Sequence, residues 1–324
     1  MTQNTYRWGI LGAGKIAHKF CTALNFTPRA SVYAIASRNK DNAQTFATTH
    51  SATQVYTNYT DLVNDPLVDI VYIATPHAFH YEHTLLCLQH NKAVLCEKPL
   101  SLSYQQSSAM IQMAKTKGLF LMEGMWTRFM PFIQKIGSII QQGIIGTPQL
   151  VRAEFGFAAP AIPDGRLYNK LLGGGSVLDI GIYPIFLATH ILGTPTNIYA
   201  CTHPTSTGVD GSANILLQYE NGASAQLYSS IMVQNANEAE IVGTNGRIKI
   251  SSMWHAATQI TLLLNNGSQE IFDFPHACNG FEYEIEEVMQ CLDKQLIEST
   301  RMPHSFTLTM ATIMDTVLAT LPKN

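Results

Sequence analysis

Through the first third of the chain, short runs that are apolar at nearly every position alternate with stretches that mix apolar and polar residues. The runs at 8–11, 31–36, 68–74, 93–96 and 119–122 predict strands, and the stretches at 15–25, 40–50, 80–90 and 103–117 predict helices. Strands apolar throughout, separated by helices, predict a parallel sheet covered on both faces. Beyond about residue 123 the texture changes. A helix at 131–142 precedes alternating or β-branched runs at 149–157, 197–202, 213–219, 223–231, 239–242, 247–250, 259–264 and 269–274. Turn signals such as Glu220-Asn221-Gly222, Asn245-Gly246 and Asn265-Asn266-Gly267 separate several of them, so neighbouring strands are expected to be antiparallel. Helices at 282–293 and 305–321 are expected to close the chain. The pattern predicts an α/β domain over 1–122. An α+β domain with a large, mostly antiparallel open sheet follows over 123–324, expected to bind substrate and to join subunits.

Composition narrows the partners. The 324 residues carry a net charge of −3, with 46% hydrophobic and 13% charged residues. That is enough apolar material for packed cores. It is a poor electrostatic match for nucleic acid or anionic lipid, and neither partner is expected. Six cysteines stand at 21, 87, 96, 201, 278 and 291 without a CxxC pair, so reduced thiols and a cytoplasmic location are expected. The polar start, Met1 to Arg7, has no apolar signal core. The most apolar window, 176–192, contains Asp179, Gly181, Pro184 and His190; it is expected to be a buried helix, short of a bilayer span.

Chemistry enters with Gly12-Ala13-Gly14-Lys15-Ile16-Ala17, between a predicted strand and a predicted helix. It fits the G-x-G-x-x-G/A dinucleotide fingerprint. Gly12 permits the tight turn, Gly14 lets backbone approach a pyrophosphate, and Ala17 permits close helix–strand packing. The anion is expected on the N–H groups of the helix start, with Lys15 and Ile16 beside it. The next strand ends in Ala36-Ser37-Arg38-Asn39, with no carboxylate for a ribose 2′-hydroxyl. Arg38 and Ser37 instead suit a 2′-phosphate, so NADP is expected over NAD, with NAD possible as an alternative.

Two further strand ends carry candidate residues, where open parallel sheets bind ligands. After the first come Thr75, Pro76, His77 and His80, expected to make polar contacts with the cofactor. His77, His80 and His83 share a three-residue spacing but have no carboxylate or thiolate support beyond Glu82, and no metal is expected. After the second comes Glu97-Lys98-Pro99. Proline can fix this turn, with a cis bond before it as one option, and aim Lys98 at the cleft. A partly desolvated lysine beside a cationic nicotinamide can act as a base near neutral pH. In the second half, Gly173-Gly174-Gly175-Ser176 opens a helix carrying Asp179 and Tyr183, four apart and on one face. A carboxylate and a phenol in an apolar helix need partners when buried, and Lys98 is one candidate.

These residues together resemble the glucose–fructose oxidoreductase / inositol dehydrogenase / rhizopine-catabolism (Gfo/Idh/MocA) family over nearly the whole chain. Asn279-Gly280-Phe281 and the segment from Tyr283 to Val288 add to the match. Many members have histidine where this chain has Tyr183. With Glu123-Gly124-Met125-Trp126-Thr127-Arg128-Phe129, that difference resembles the branch holding dimeric dihydrodiol dehydrogenases and NADP-dependent D-xylose dehydrogenases. The resemblance implies a Rossmann domain followed by the α+β domain. It also implies NAD(P)-linked hydride transfer at a hydroxyl-bearing carbon of a sugar, polyol or cyclic diol. Lys98 would exchange the hydroxyl proton, with Tyr183 as the alternative carrier and Asp179 orienting substrate. Glu97 would face the nicotinamide ribose, and Trp126 and Arg128 would lie near the nicotinamide. Trp126, Phe155, Phe157 and Phe281 would wall the substrate pocket. The amine at 98 and the phenol at 183 are expected to meet across an interdomain crevice, and pairing through the second sheet implies at least a dimer. The competing reading is a sensor that kept the fold and lost turnover.

Overall fold

The computed structural model describes residues 5–322; the first four residues of the polar N-terminal start lie outside the described residues. The first part of the chain builds β1 (Tyr6–Leu11), α1 (Lys15–Phe26), β2 (Ala30–Ala36), α2 (Lys40–His50), β3 (Gln54–Tyr56), α3 (Tyr59–Asn64), β4 (Ile70–Ile73), α4 (His80–Gln89), β5 (Ala93–Glu97), α5 (Tyr104–Lys117) and β6 (Leu121–Gly124). The six strands form one sheet in the order β3-β2-β1-β4-β5-β6, every pair parallel. That order reverses the direction in which the chain adds strands between β1 and β4, the switch point at whose carboxyl ends open α/β sheets bind nucleotides. Trp8, Ile10, Leu11, Ile70, Val71, Tyr72 and Ile73 are fully buried, as the unbroken apolar runs require of strands covered on both faces.

The second part contains α6 (Pro131–Gln141), β7 (Pro148–Gly156), α7 (Ile182–Leu192), β8 (Asn197–Pro204), β9 (Asp210–Gln218), β10 (Ser224–Ser230), β11 (Ala239–Gly243), β12 (Gly246–Ile250), β13 (Gln259–Leu264) and β14 (Gln269–Asp273), followed by α8 (Glu282–Asp293) and α9 (His304–Leu318). The sheet runs β14-β13-β12-β11-β7-β10-β9-β8. Its pairs are antiparallel except β7 with β10. One face packs on α7, whose residues Ile182 to Thr189 are all buried; along β9 and β12 every second residue points away to solvent.

Three expectations change. Strand β3 and helix α3 were not foreseen: three half-buried residues and a six-residue helix are too short to show a period. The apolar window at 176–192 is a π-helical turn, Val177–Gly181, leading into α7. The 23-residue stretch Lys170–Leu192 does reach the length and apolarity of a membrane span, but its most apolar window is 83% buried within the molecule, as for a core helix. Finally, the chain does not divide once at 122/123. One compact unit comprises the chain through Phe129 together with His276–Thr307; the other comprises Met130–Pro275 and the chain from Leu308. The reasons are local. Strand β6 pairs with β5 as far as Gly124, and α8 is tied to the first unit by the Tyr6 hydroxyl and the Arg29 guanidinium, both donating to Asp293 at 2.8–2.9 Å.

Candidate active site

In the first unit the glycine turn has the required geometry. Gly12 has φ +98°, and a Cβ there would stand 2.9 Å from the Ala74 carbonyl oxygen, so any side chain would close the approach between the β1 and β4 ends. Gly14 caps α1 in extended conformation without a side-chain acceptor, and no acidic residue occupies the first turn of α1. The first N–H groups of α1 therefore remain for an anion such as a pyrophosphate. Ala17 is fully buried, as its packing role demands. These features fit a dinucleotide.

Beyond the β2 end lies a cavity of about 470 Å³ lined by Arg38, Tyr59, Thr75, Pro76, Phe79 and His83. Three of the predicted cofactor residues, Arg38, Thr75 and Pro76, thus come together. The Arg38 guanidinium lies 5.7 Å from the Phe79 ring centre and is otherwise exposed. Ser37 is half-buried and accepts the Asn39 N–H at 3.4 Å. The histidines divide by role. His83 bonds the Thr75 hydroxyl at 3.0 Å, and burial, reinforced by His80 and Arg38, pushes its pKa down to about 4, so it is neutral near pH 7. His80 is fully buried, with both ring nitrogens 2.8 Å from backbone carbonyls of Thr75 and Pro99. Its ring lies between two loops, and the neutral imidazole, its pKa lowered by burial, has one N–H to give to one carbonyl or the other. His77 is buried beside it, ring centres 5.7 Å apart.

The β5 end carries the expected lysine. The Lys98–Pro99 peptide is cis, and Lys98 is half-buried at the carboxyl edge of the sheet. Glu97 is buried; it accepts the Tyr72 hydroxyl at 2.5 Å and the Lys98 N–H at 3.2 Å. Glu284 of α8 is fully buried with neither carboxyl oxygen hydrogen-bonded, and burial together with the charge of Glu97 pushes its pKa well up. Two neighbouring buried carboxyls do not both ionise readily, which favours the protonated form of Glu284. Trp126 and Phe281 stack in this same unit, centres 4.7 Å apart and planes within 8°. Arg128 is largely committed: it donates to the Arg301 carbonyl and lies 4.2 Å from the centre of the Phe306 ring. Burial, with Arg301 nearby, lowers its pKa to about 10. These contacts brace the chain within the first unit.

The second unit holds the other candidates. Asp179 lies in the π-helical turn and receives Arg166 in bidentate fashion at 2.7 and 3.2 Å. Tyr183, 7% exposed at the start of α7, packs against Phe155 and His255 with ring centres 5.5 and 5.2 Å away. Phe155 and His255 stack at 4.3 Å. Phe155 and Phe157 were both foreseen as pocket walls; Phe155 stands in that cluster and Phe157 is half-buried. Beneath the turn, buried Asp210 accepts the Ser176 hydroxyl at 2.8 Å and the Val177 N–H at 2.6 Å; burial raises its pKa to about 6. Arg166, Asp210, His255, Tyr72 and Glu284 were not foreseen. They reach their partners from loops or distant elements, and no spacing in the sequence marks them.

Comparison with known proteins gives these geometries a setting. The "Oxidoreductase family, NAD-binding Rossmann fold" profile of Gfo/Idh/MocA matches residues 6–125, and the Gfo/Idh/MocA C-terminal domain matches residues 133–249. The chain belongs to the Gfo/Idh/MocA oxidoreductase family. Trans-1,2-dihydrobenzene-1,2-diol dehydrogenase of Xenopus tropicalis is 38% identical, covering 97% of this chain and 98% of its own; that of Homo sapiens is 34% identical, covering 96% and 95%. Among solved structures, KijD10, a 3-ketoreductase from Actinomadura kijaniata in complex with NADP and TDP-benzene, is 28% identical, with a TM-score of 0.88 and 97% of each chain covered. The aldose-aldose oxidoreductase from Caulobacter crescentus, at 23% identity and TM-score 0.89 over 98% of each chain, shares the fold. This protein is thus an oxidoreductase with an NAD-binding Rossmann domain and a mostly antiparallel second sheet, and its resemblance to the family extends over nearly the whole chain.

Proposed function

We propose that the protein is an NADP-preferring dehydrogenase/reductase acting at a hydroxyl-bearing carbon of a cyclic diol, polyol or sugar. A bound nicotinamide dinucleotide supplies the hydride acceptor or donor. The chain supplies the rest. Gly12 and Gly14 admit the pyrophosphate, and Arg38 and Ser37 grip the 2′-phosphate by charge-assisted hydrogen bonds. Lys98 takes the hydroxyl proton during oxidation and returns it during reduction. Tyr183 is the alternative carrier of that proton, and Asp179, steered by Arg166, orients substrate hydroxyls. Trp126, half-buried and backed by the buried Phe281 ring, offers a flat apolar wall suited to a ring.

The observation that carries this reading is the Lys98 turn. It sits at the carboxyl edge of a dinucleotide-binding sheet with its N–H held by the buried Glu97, in the same unit as a cavity lined by Arg38. The names of the diol dehydrogenase relatives and the NADP of the ketoreductase complex support the substrate class and the cofactor. A silent sensor would need neither Lys98 nor Asp179, and both are present. The test is absorbance in the reduced-nicotinamide band when the protein meets NADP and a panel of trans-1,2-dihydrobenzene-1,2-diol, D-xylose and other sugars and polyols. Turnover of at least one is expected; tight NADP binding with no turnover anywhere would replace the enzyme reading with the sensor.

The same reading places a second copy of the chain on the outer face of the eight-stranded sheet. That face is a shallow hollow of about 1080 Å³ lined by Arg152, Tyr199, Leu216, Tyr228, Glu240 and Arg247. Tyr199 is 55% and Leu216 37% exposed, and Arg152 and Arg247 both approach Glu240, at 3.4 and 3.5 Å. Apolar surface laced with both signs of charge can be self-complementary about a two-fold axis. The cytoplasm is the proposed location, in keeping with six free cysteines.

A further inference from the structure

The turn that bears Lys98 is fixed by a different side chain at each of three successive residues. Glu97 accepts the Lys98 N–H at 3.2 Å, His80 bonds the Pro99 carbonyl at 2.8 Å, and Glu123 accepts the Leu100 N–H at 2.9 Å. The Cys96 thiol closes the set on the Leu100 carbonyl at 3.8 Å. Glu97 and His80 lie within motifs already assigned. Glu123 does not: it opens the Glu123-Gly124-Met125-Trp126 stretch on β6, is 3% exposed, and has had no part in the chemistry so far. Its second oxygen accepts the Thr307 hydroxyl of α9 at 2.8 Å. The start of α9 is in turn bound to β6, with His304 Nε2 2.8 Å from the Leu121 carbonyl.

We propose that Glu123 is a positioning residue for the reaction: anchored by Thr307, it holds the Leu100 amide and thereby fixes where the Lys98 amine stands. This rests on the reading of Lys98 as a proton carrier. The groups that face Glu123 are Glu97, Lys98 and Cys96 from β5 and its turn, and Thr307 from α9. Burial pushes the Glu123 pKa up to about 7, while Thr307, the Leu100 N–H and Lys98 favour its ionised form. A carboxylate accepts from both partners at once. The protonated acid turns one oxygen into a donor and weakens the clamp. Activity should therefore rise with pH as Glu123 ionises, and the midpoint of that rise should follow Thr307.

The test is the pH profile of kcat for trans-1,2-dihydrobenzene-1,2-diol oxidation by NADP, in wild type, Glu123→Gln, Thr307→Val, Thr307→Ser and Lys98→Met, with NADP affinity measured alongside. Glu123→Gln should lower kcat ~10–100-fold, the scale of a small misplacement of a reacting group, with NADP affinity retained and the rise near neutral pH gone. Thr307→Val removes a bond that favours the carboxylate, so the rise should move to higher pH; Thr307→Ser should restore the wild-type midpoint. A purely structural role would change thermal stability and leave the midpoint in place. The proposal is overturned if the rise is missing in wild type, or if it keeps its midpoint in both Thr307→Val and Glu123→Gln. Wild-type turnover by Lys98→Met would instead sink the underlying reading of Lys98. Should Glu123→Gln fail to fold, the Thr307 pair carries the test alone.

Discussion

At the scale of single residues, the site is organised by charge held in low-dielectric surroundings. Glu97 and Glu284 illustrate it: one buried carboxyl accepts the Tyr72 phenol and the Lys98 N–H, and burial beside it pushes the pKa of the other, which has no hydrogen bond, well up. Arg38 is the opposite case, an exposed guanidinium over the Phe79 ring and hydrogen-bonded to the Tyr59 side chain. If it meets the 2′-phosphate, Arg38→Ala should weaken NADP binding by ~10-fold or more, as expected for a charge-assisted contact worth ~1.5–3 kcal/mol, while NAD binding changes little. Titration of both dinucleotides by tryptophan fluorescence checks this. An equal loss for both would remove Arg38 from that role.

At the scale of elements, backbone conformation places the chemistry. The π-helical turn at Val177–Gly181 presents Asp179 and leads into α7 with Tyr183. It depends on Gly175, whose φ is +116° and whose Cβ, if present, would stand 2.1 Å from Asp210 Oδ1. Gly175→Ala should therefore strain the backbone and push against Asp210, lowering stability by about 1–3 kcal/mol; chemical denaturation measures it, and a wild-type midpoint would refute the strain. The same elements show what the sequence displayed. Strands buried on both faces and the glycine turn were legible because each is a local pattern with a local cause. The glycine run before Ser176 announced a helix start, yet not that Ser176 would be held by Asp210 from a strand further along the chain. Arg166 and His255 were invisible for the same reason: their partners are set by tertiary packing, not by spacing. The histidine run likewise gave no sign that the His80 ring would lie between two backbone carbonyls, which no sequence pattern names.

At the scale of the whole molecule, the chain returns to its first unit after completing the second sheet. The segment His276–Thr307 supplies Phe281, Glu284 and Thr307 to the unit that binds the dinucleotide. A single linear division misses this because helix α8 carries an ordinary amphipathic pattern that does not say which core it joins. The outer face of the second sheet belongs to this scale too. If two copies pair through it, Leu216→Glu with Tyr199→Glu should shift the protein toward monomer in sedimentation velocity while far-ultraviolet circular dichroism stays unchanged. A wild-type mass distribution for that variant would place the interface elsewhere.

The central claim is that Lys98 carries the substrate proton beside a dinucleotide that the rest of the first unit holds. Steady-state turnover of Lys98→Met, with NADP affinity measured on the same preparation, tests it most directly. The account expects kcat to fall ~10²–10⁴-fold, the usual worth of a general acid–base, with NADP affinity close to wild type. Near-normal turnover by that variant would contradict it and leave Tyr183 as the group to examine.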